Sequence, residues 1–208
     1  MLHEPKWTRV LAGVVALMLA LGLTAAVQAQ QARKTIMVVD FEDTVQGWSM
    51  TRDVVTSRVV GHLRDDQNLR MIPRDRVRET LREAKLDTSG YPDREDLLKV
   101  AKALEADYVL MGQVAAFDQQ MSGLAVGFFS VQTQTATVRL RGRILDVAAG
   151  QVVASPEVEV KKQQSGGSAW FGDWWTHVSV NNFDSQLIGK ATLEAVDQLV
   201  VKVKPHLK

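Results

Sequence analysis

Two short stretches constrain the fold of this chain most: Thr35 to Phe41 (TIMVVDF) and Tyr108 to Phe117 (YVLMGQVAAF). Both are largely apolar runs of strand length, the pattern of strands buried within a sheet. Between them the apolar period lengthens to that of helices. Val55, Val59 and Leu63 recur four apart within Ser49 to Arg64, which makes one helical stripe. Leu69 to Ile72 is a short strand candidate stopped by Pro73. Arg74 to Lys85 is densely charged but keeps Val77, Leu81 and Ala84 on one side, as a solvated helix does. Asp87 to Pro92 is a loop by composition. Asp93 stands three before Asp96 as a weak capping pair, and Leu97, Ala101 and Leu104 mark the next helical face.

The second half is antiparallel in character. Thr137, Arg139, Arg141 and Arg143 alternate with Val138, Leu140, Gly142 and Ile144 along Thr135 to Val147, a strand with one wet and one buried face. Ala148 to Gln151 turns the chain, and Val152 to Val160 returns as the hairpin partner. A final helix, capped by Asp184 or Ser185, runs to about Val203 before Pro205. Residues 118–134 form an insert with no clear period, and 163–183 reads as a Gly-rich, aromatic loop. The expected fold is α/β: a single domain whose mixed β-sheet carries packed helices, with a late antiparallel hairpin and a C-terminal helix.

The first 29 residues stand apart from this pattern. A mildly basic start is followed by an unbroken apolar run from Val10 to Leu23 and small residues up to Ala29. This is the pattern of a secretory signal peptide cleaved after Ala29, and the small-residue exit favours it over an uncleaved membrane anchor. Residues 30–208 then make the mature domain. The leader holds Lys6, Arg9 and Glu4, so the mature chain keeps 23 basic and 23 acidic side chains. A neutral domain has no global field to hold a phosphate backbone, which argues against nucleic acid as a partner. There is no cysteine, which removes disulfides, thiol catalysis, thiolate metal sites and leader lipidation. The expected location is the periplasm, with outer-membrane association.

No residue pattern points to catalysis. His3, His62, His177 and His206 have no ligand-like spacing. Asp40, Glu42 and Asp43 cluster after the first strand, where an enzyme could place an acid–base pair. The sequence offers no second set of groups to complete such a site, so they read as a polar turn. Arg139, Arg141 and Arg143 read as a solvated strand face; the other reading pairs them with acidic residues of a neighbouring subunit. The sharpest local feature is Trp170, Phe171, Trp174 and Trp175 in a Gly-flanked segment. Exposed, these side chains suit a partner or membrane contact; folded back over the sheet, they are core.

Four stretches in order resemble the CsgG/HfaB family of outer-membrane secretion and assembly proteins. They are IMVVDFEDTVQG, VVGHLRDDQNLRMIPRDRVRETLREAKL, AKALEADYVLMGQVAAFD and VRLRGRILDVAAGQVVAS, and the likeness spans about residues 35 to 203. The resemblance implies a non-enzymatic, exported envelope protein that acts by association with envelope or secretion proteins, itself included, and holds no cofactor. The alternative it implies is a subunit of an oligomeric outer-membrane secretion channel, in which each subunit contributes two β-hairpins to a barrel. The family offers no catalytic residues to carry over. The curli channel subunit is lipidated, whereas this chain lacks cysteine, and its candidate hairpin segments are short. An enzyme, a hydrolase above all, is the reading the residues support least.

Overall fold

In a computed structural model of the chain, the structure describes residues 33–44, 51–86, 92–126, 129–169 and 186–207. Among them are β1 (Lys34–Val38), β2 (Glu42–Asp43), α1 (Thr51–Arg64), β3 (Leu69–Met71), α2 (Arg74–Glu83), α3 (Arg94–Ala103), β4 (Tyr108–Val126), β5 (Phe129–Asp146), β6 (Gln151–Ala154), β7 (Glu157–Ala169) and α4 (Leu187–Val203). The strands form one mixed sheet in the order β3-β1-β4-β5-β6, with β2 added to β4 and β7 to β5. β1 lies parallel to β3 and to β4; β5 is antiparallel to β4, β6 and β7. This is the mixed α/β sheet expected from the sequence.

The pleat sorts the sheet's side chains into two cores. On one face Ile36, Val38, Leu110, Leu140 and Ile144 pack with Val55, Val59 and Leu63 of α1 and with Ile188, Val196 and Leu199 of α4. On the other, Met37, Val39, Val109 and Leu145 pack with Val77 and Leu81 of α2 and with Leu97, Val100 and Ala101 of α3. The TIMVVDF run therefore has no polar phase because both of its faces meet helices. The helix after β1 covers one face and the two helices before β4 cover the other, so the sheet is wound in both directions from β1.

The largest departure from the sequence reading lies beyond Phe117. The strand expected to stop there continues to Val126, and β5 begins at Phe129 rather than Thr135. Residues 118–134 are thus no separate insert: they are the far half of one hairpin, paired from Asp118↔Thr137 to Val126↔Phe129. The presumed loop at 163–183 is corrected likewise over its first residues, since β7 runs to Ala169 and pairs along β5 as far as Ala169↔Phe129. Its glycines lie in strand because β5 supplies the pairing that composition could not reveal. The expected return strand from Val152 to Val160 is split at Ser155–Pro156, where the Pro156 carbonyl accepts from Gly142 N–H at 2.8 Å. At the start of α3, Asp93 is the N-cap but its side chain makes no capping hydrogen bond, so the proposed capping pair is absent.

Candidate functional site: a filled crevice and a sheet extension

In a sheet wound both ways from a central strand, ligands usually enter the crevice at the carboxyl ends of the parallel strands. Here that crevice is occupied by the chain itself. After β1, Phe41 is buried against Gly112 of β4 so closely that a Cβ on Gly112 would stand 2.1 Å from Phe41 Cε1. The Phe41 N–H donates to Thr56 Oγ1 at 2.9 Å, and that hydroxyl donates to the Arg52 carbonyl at 2.7 Å. Glu42 and Asp43 then pair with Gln113 and Val114 as β2, and Thr44 Oγ1 donates to the Val114 carbonyl at 2.9 Å.

Asp40, the first of the three clustered acids, is mostly buried, at 8% side-chain exposure. It accepts from Arg74 Nε at 2.5 Å and Arg78 Nε at 2.7 Å. The same two arginines donate to Asp53 Oδ1 at 2.6 and 2.9 Å, and Arg74 also reaches Ser57. Two guanidinium and two carboxylate groups thus neutralise one another and tie the segment after β1 to α1 and α2. Burial works against the Asp53 charge, but hydrogen bonds and charge from Arg74 and Arg78 prevail and lower its pKa. Burial likewise opposes the charge on Arg74, and Asp40 and Asp53 outweigh it, raising its pKa. Asp40 is a structural tie, with both oxygens committed to guanidinium groups. Sequence reasoning missed this cluster, although the i, i+4 spacing of Arg74 and Arg78 at a helix start was its visible signal.

Of the histidines, His62 of α1 stands 3.0 Å from Asp197 of α4; His206 is exposed, and His3 and His177 lie outside the described residues. Among the described residues no group of three or more His, Asp or Glu could hold a metal ion.

The second feature is the extension formed by the far halves of β4 and β5 together with β7. At its base, on the face shared with α2 and α3, Arg139 donates to Glu159 and Arg141 Nε to Glu157 at 3.0 Å. Arg139 and Arg141 are therefore paired within the chain, across to β7. The Arg139 hydrogen bond, with Lys161 adding to it, holds the Glu159 pKa below its ordinary value. Beyond this collar the chemistry changes: no charged residue falls between Asp118 and Arg139. Gln120, Met121, Ser122, Gly123, Gln132, Gln163, Gln164 and Ser165 are exposed there. A bulge between Val114 and Ala116 shifts the register by one residue and leaves Phe117 buried with Val138 and Val160. Past Val114, no described strand pairs with the outer edge of β4, nor with the outer edge of β7. Trp170, Phe171, Trp174 and Trp175 lie outside the described residues; Trp170 follows Ala169, the last residue of β7.

These features define a mixed-sheet α/β domain with a closed crevice and a three-stranded sheet extension whose β4–β5 hairpin is uncharged between Asp118 and Arg139. The chain belongs to the CsgG family: the family model described as "Curli production assembly/transport component CsgG" matches residues 18–206. No curated protein matches the chain significantly. Among solved structures, hypothetical protein CT253 from Chlamydia trachomatis is 12% identical, with a TM-score of 0.52 over 85% of this chain and 98% of that one. This is a likeness of fold. The LpoB C-terminal domain from Salmonella enterica is 15% identical, with a TM-score of 0.45 over 62% of this chain and 83% of that one. The PelC dodecamer from Paraburkholderia phytofirmans is 17% identical, with a TM-score of 0.37 over 78% and 88%. These two superpose too loosely to bear on function. Among the described residues no helix is long and apolar enough to cross a membrane, which says nothing of strands.

Proposed function

We propose that this protein is a non-enzymatic component of the bacterial envelope, exported by a signal peptide over residues 1–29. In this reading residues 30–208 act in outer-membrane assembly or secretion by associating with other envelope proteins. The observation that carries the reading is the extension: a three-stranded sheet whose β4–β5 hairpin has no charged residue between Asp118 and Arg139, and whose β4 edge no described strand covers past Val114. Open edges of this kind accept added strands unless charge, proline or a cover blocks them. Membership of the CsgG family supports a place in assembly or secretion, and the filled crevice removes the usual seat of a small substrate. Trp170, Phe171, Trp174 and Trp175 are proposed as further contact residues, since the chain reaches them directly from the end of β7.

The test is recovery of envelope proteins with the processed chain, compared with a Met121→Lys variant. Met121 lies on the open edge and is 70% exposed, so a lysine there leaves the core intact and blocks strand addition. Association is expected to fall at least tenfold with the thermal midpoint unchanged. Undiminished recovery, or a chain found only unprocessed in cytosol, contradicts the proposal.

The second reading is a subunit of an oligomeric outer-membrane channel. It is favoured by strand length: β4 and β5 have 19 and 18 residues, above the roughly 9 to 11 that cross a bilayer. A barrel wall also needs one apolar face. The five rungs from Gln119↔Ala136 to Gly123↔Gln132 place glutamine or hydroxyl side chains on both faces, which favours the association reading. Rings in electron micrographs of detergent-extracted protein would reverse that preference.

A further inference from the structure

The β4 edge that no described strand covers begins after Val114, where Thr44 ends the pairing of β2. From Ala116 to Ser122 its side chains alternate between the two faces of the sheet. Ala116, Asp118, Gln120 and Ser122 lie on the face shared with α2 and α3; Phe117, Gln119 and Met121 lie on the other. Asp118, opposite Thr137 of β5, is exposed. Gln120 Nε2 donates to its Oδ2 at 2.8 Å, but among the described residues no cation pairs with it. Arg139 and Lys161, which share its face, are both bound to Glu159. Met121, on the opposite face, is 70% exposed. A bare apolar side chain and an acid without a cation thus stand three residues apart on one strand edge.

We infer that this edge takes an extended segment of another protein in which a lysine or arginine stands three residues from an apolar residue. The inference rests on the strand-addition reading proposed above and names the chemistry of its partner. In an added strand, the residue directly opposite one of β4 has its Cβ about 4.5–5.5 Å away on the same face. The position opposite Asp118 therefore suits a cation. The position three further along lies on the other face and covers Met121. This spacing holds whichever way the added strand runs. A second copy of the same edge does not meet it, because β4 has no lysine or arginine from Tyr108 to Val126. Two β4 edges paired together would leave both Asp118 carboxylates without a cation. One exposed ion pair changes affinity by only about 1.4- to 5-fold. It selects among strands, while the main-chain hydrogen bonds of the added strand supply the hold.

The probe is a short fluorescein-labelled peptide, rich in threonine for strand propensity. It has one central lysine and a leucine three residues to either side, so either strand direction is served. A second peptide has glutamate in place of the lysine. Binding to the processed protein is read by fluorescence anisotropy at low salt. The lysine peptide is expected to bind at least about threefold tighter than the glutamate peptide, since one gains an exposed ion pair and the other a repulsion. Asp118→Lys is expected to reverse that order, and Met121→Lys to abolish binding of both peptides. Equal affinity of the two peptides, with both lost in Met121→Lys, overturns the inference while the strand-addition reading stands. Binding of neither peptide overturns the inference as well, and the pull-down with Met121→Lys then judges the association reading separately. Self-association of the processed protein in sedimentation velocity, lost in Met121→Lys, seats a second copy on the edge and also overturns it.

Discussion

The ring of Phe41 lies over the α-carbon of Gly112, leaving no room for even a methyl group between β4 and the segment that follows β1. Gly112 has an ordinary backbone conformation; what excludes other residues is the aromatic side chain packed on it. Gly112→Ala is expected to destabilise the domain by about 1–3 kcal/mol, as overpacking does. That corresponds to a fall of roughly 2–12 °C in thermal midpoint for a chain of this size. Phe41→Ala alone is expected to cost about 3–5 kcal/mol through its cavity. In the double variant the alanine methyl occupies part of that cavity, so the losses are expected to sum to less than the two singles. Additive losses, measured by denaturant unfolding, would show that the two residues are not coupled.

Asp40 and Asp53 bind the same two arginines but differ in exposure, and this separates their effects. Asp40→Asn leaves Arg74 and Arg78 partly buried beside a neutral group, and a loss of about 3 kcal/mol is expected, in the range for one half of a buried pair. Asp53 is half-exposed, so solvent screening holds the loss from Asp53→Asn below about 1 kcal/mol. Its folded pKa lies below the ordinary 3.8. Its contribution is therefore complete above that value and disappears as pH falls through the folded one. The gap in thermal midpoint between wild type and Asp53→Asn should be constant from pH 8 to 5 and close below pH 4. A gap that widens in acid would contradict the assignment.

Association through the β4 edge of the extension, two strands from Lys161 and Lys162 of β7, should respond little to salt. Between about 50 and 500 mM sodium chloride the screening length falls several-fold, yet no charged residue lies between Asp118 and Arg139 to be screened. The dissociation constant for an envelope partner, measured by surface plasmon resonance, is expected to change less than about threefold. A loss of a hundredfold would place the contact on the charged collar or the helices instead.

The aromatic residues beyond β7 give a further prediction. If Trp174 and Trp175 are contact residues, each buries a large side chain worth roughly 1.5 to 3 kcal/mol at the interface. Changing both to serine is then expected to weaken association strongly and leave the thermal midpoint within about 1 °C. A large fall in the midpoint, with binding lost through unfolding, would instead make them core.

What the sequence disclosed follows from how far side chains are governed by one environment. TIMVVDF and the Val55, Val59, Leu63 stripe were legible because each face meets a single, dry neighbour. The extension was not, because its pairing lies in the backbone while Gln120, Met121 and Ser122 face water; without a buried face there is no period of two. Gly166 and Gly167 read as loop for the same reason. The bulge before Ala116 reversed the phase just where the core ends, hiding the continuation of β4. The arginine alternation at Arg139 and Arg141 was read correctly as a strand face. Its partners, Glu157 and Glu159, emerge once the return strand is put in register beyond Pro156. Asp40 was recognised as part of a polar turn, but its two arginines are distant in sequence and only the fold joins them. The Trp170 to Trp175 segment is a sequence feature alone, since it lies outside the described residues.

The central claim is that this protein makes its envelope contacts through the extension. A photo-crosslinking amino acid placed at Met121 on the extension, or at Val201 on α4, compares two sites equally open to solvent, at 70% and 71% exposure. In living cells, position 121 is expected to give discrete crosslinks to envelope proteins, with position 201 giving none. Crosslinks at 201 with none at 121 would contradict the account and move the working surface to the helical side of the domain.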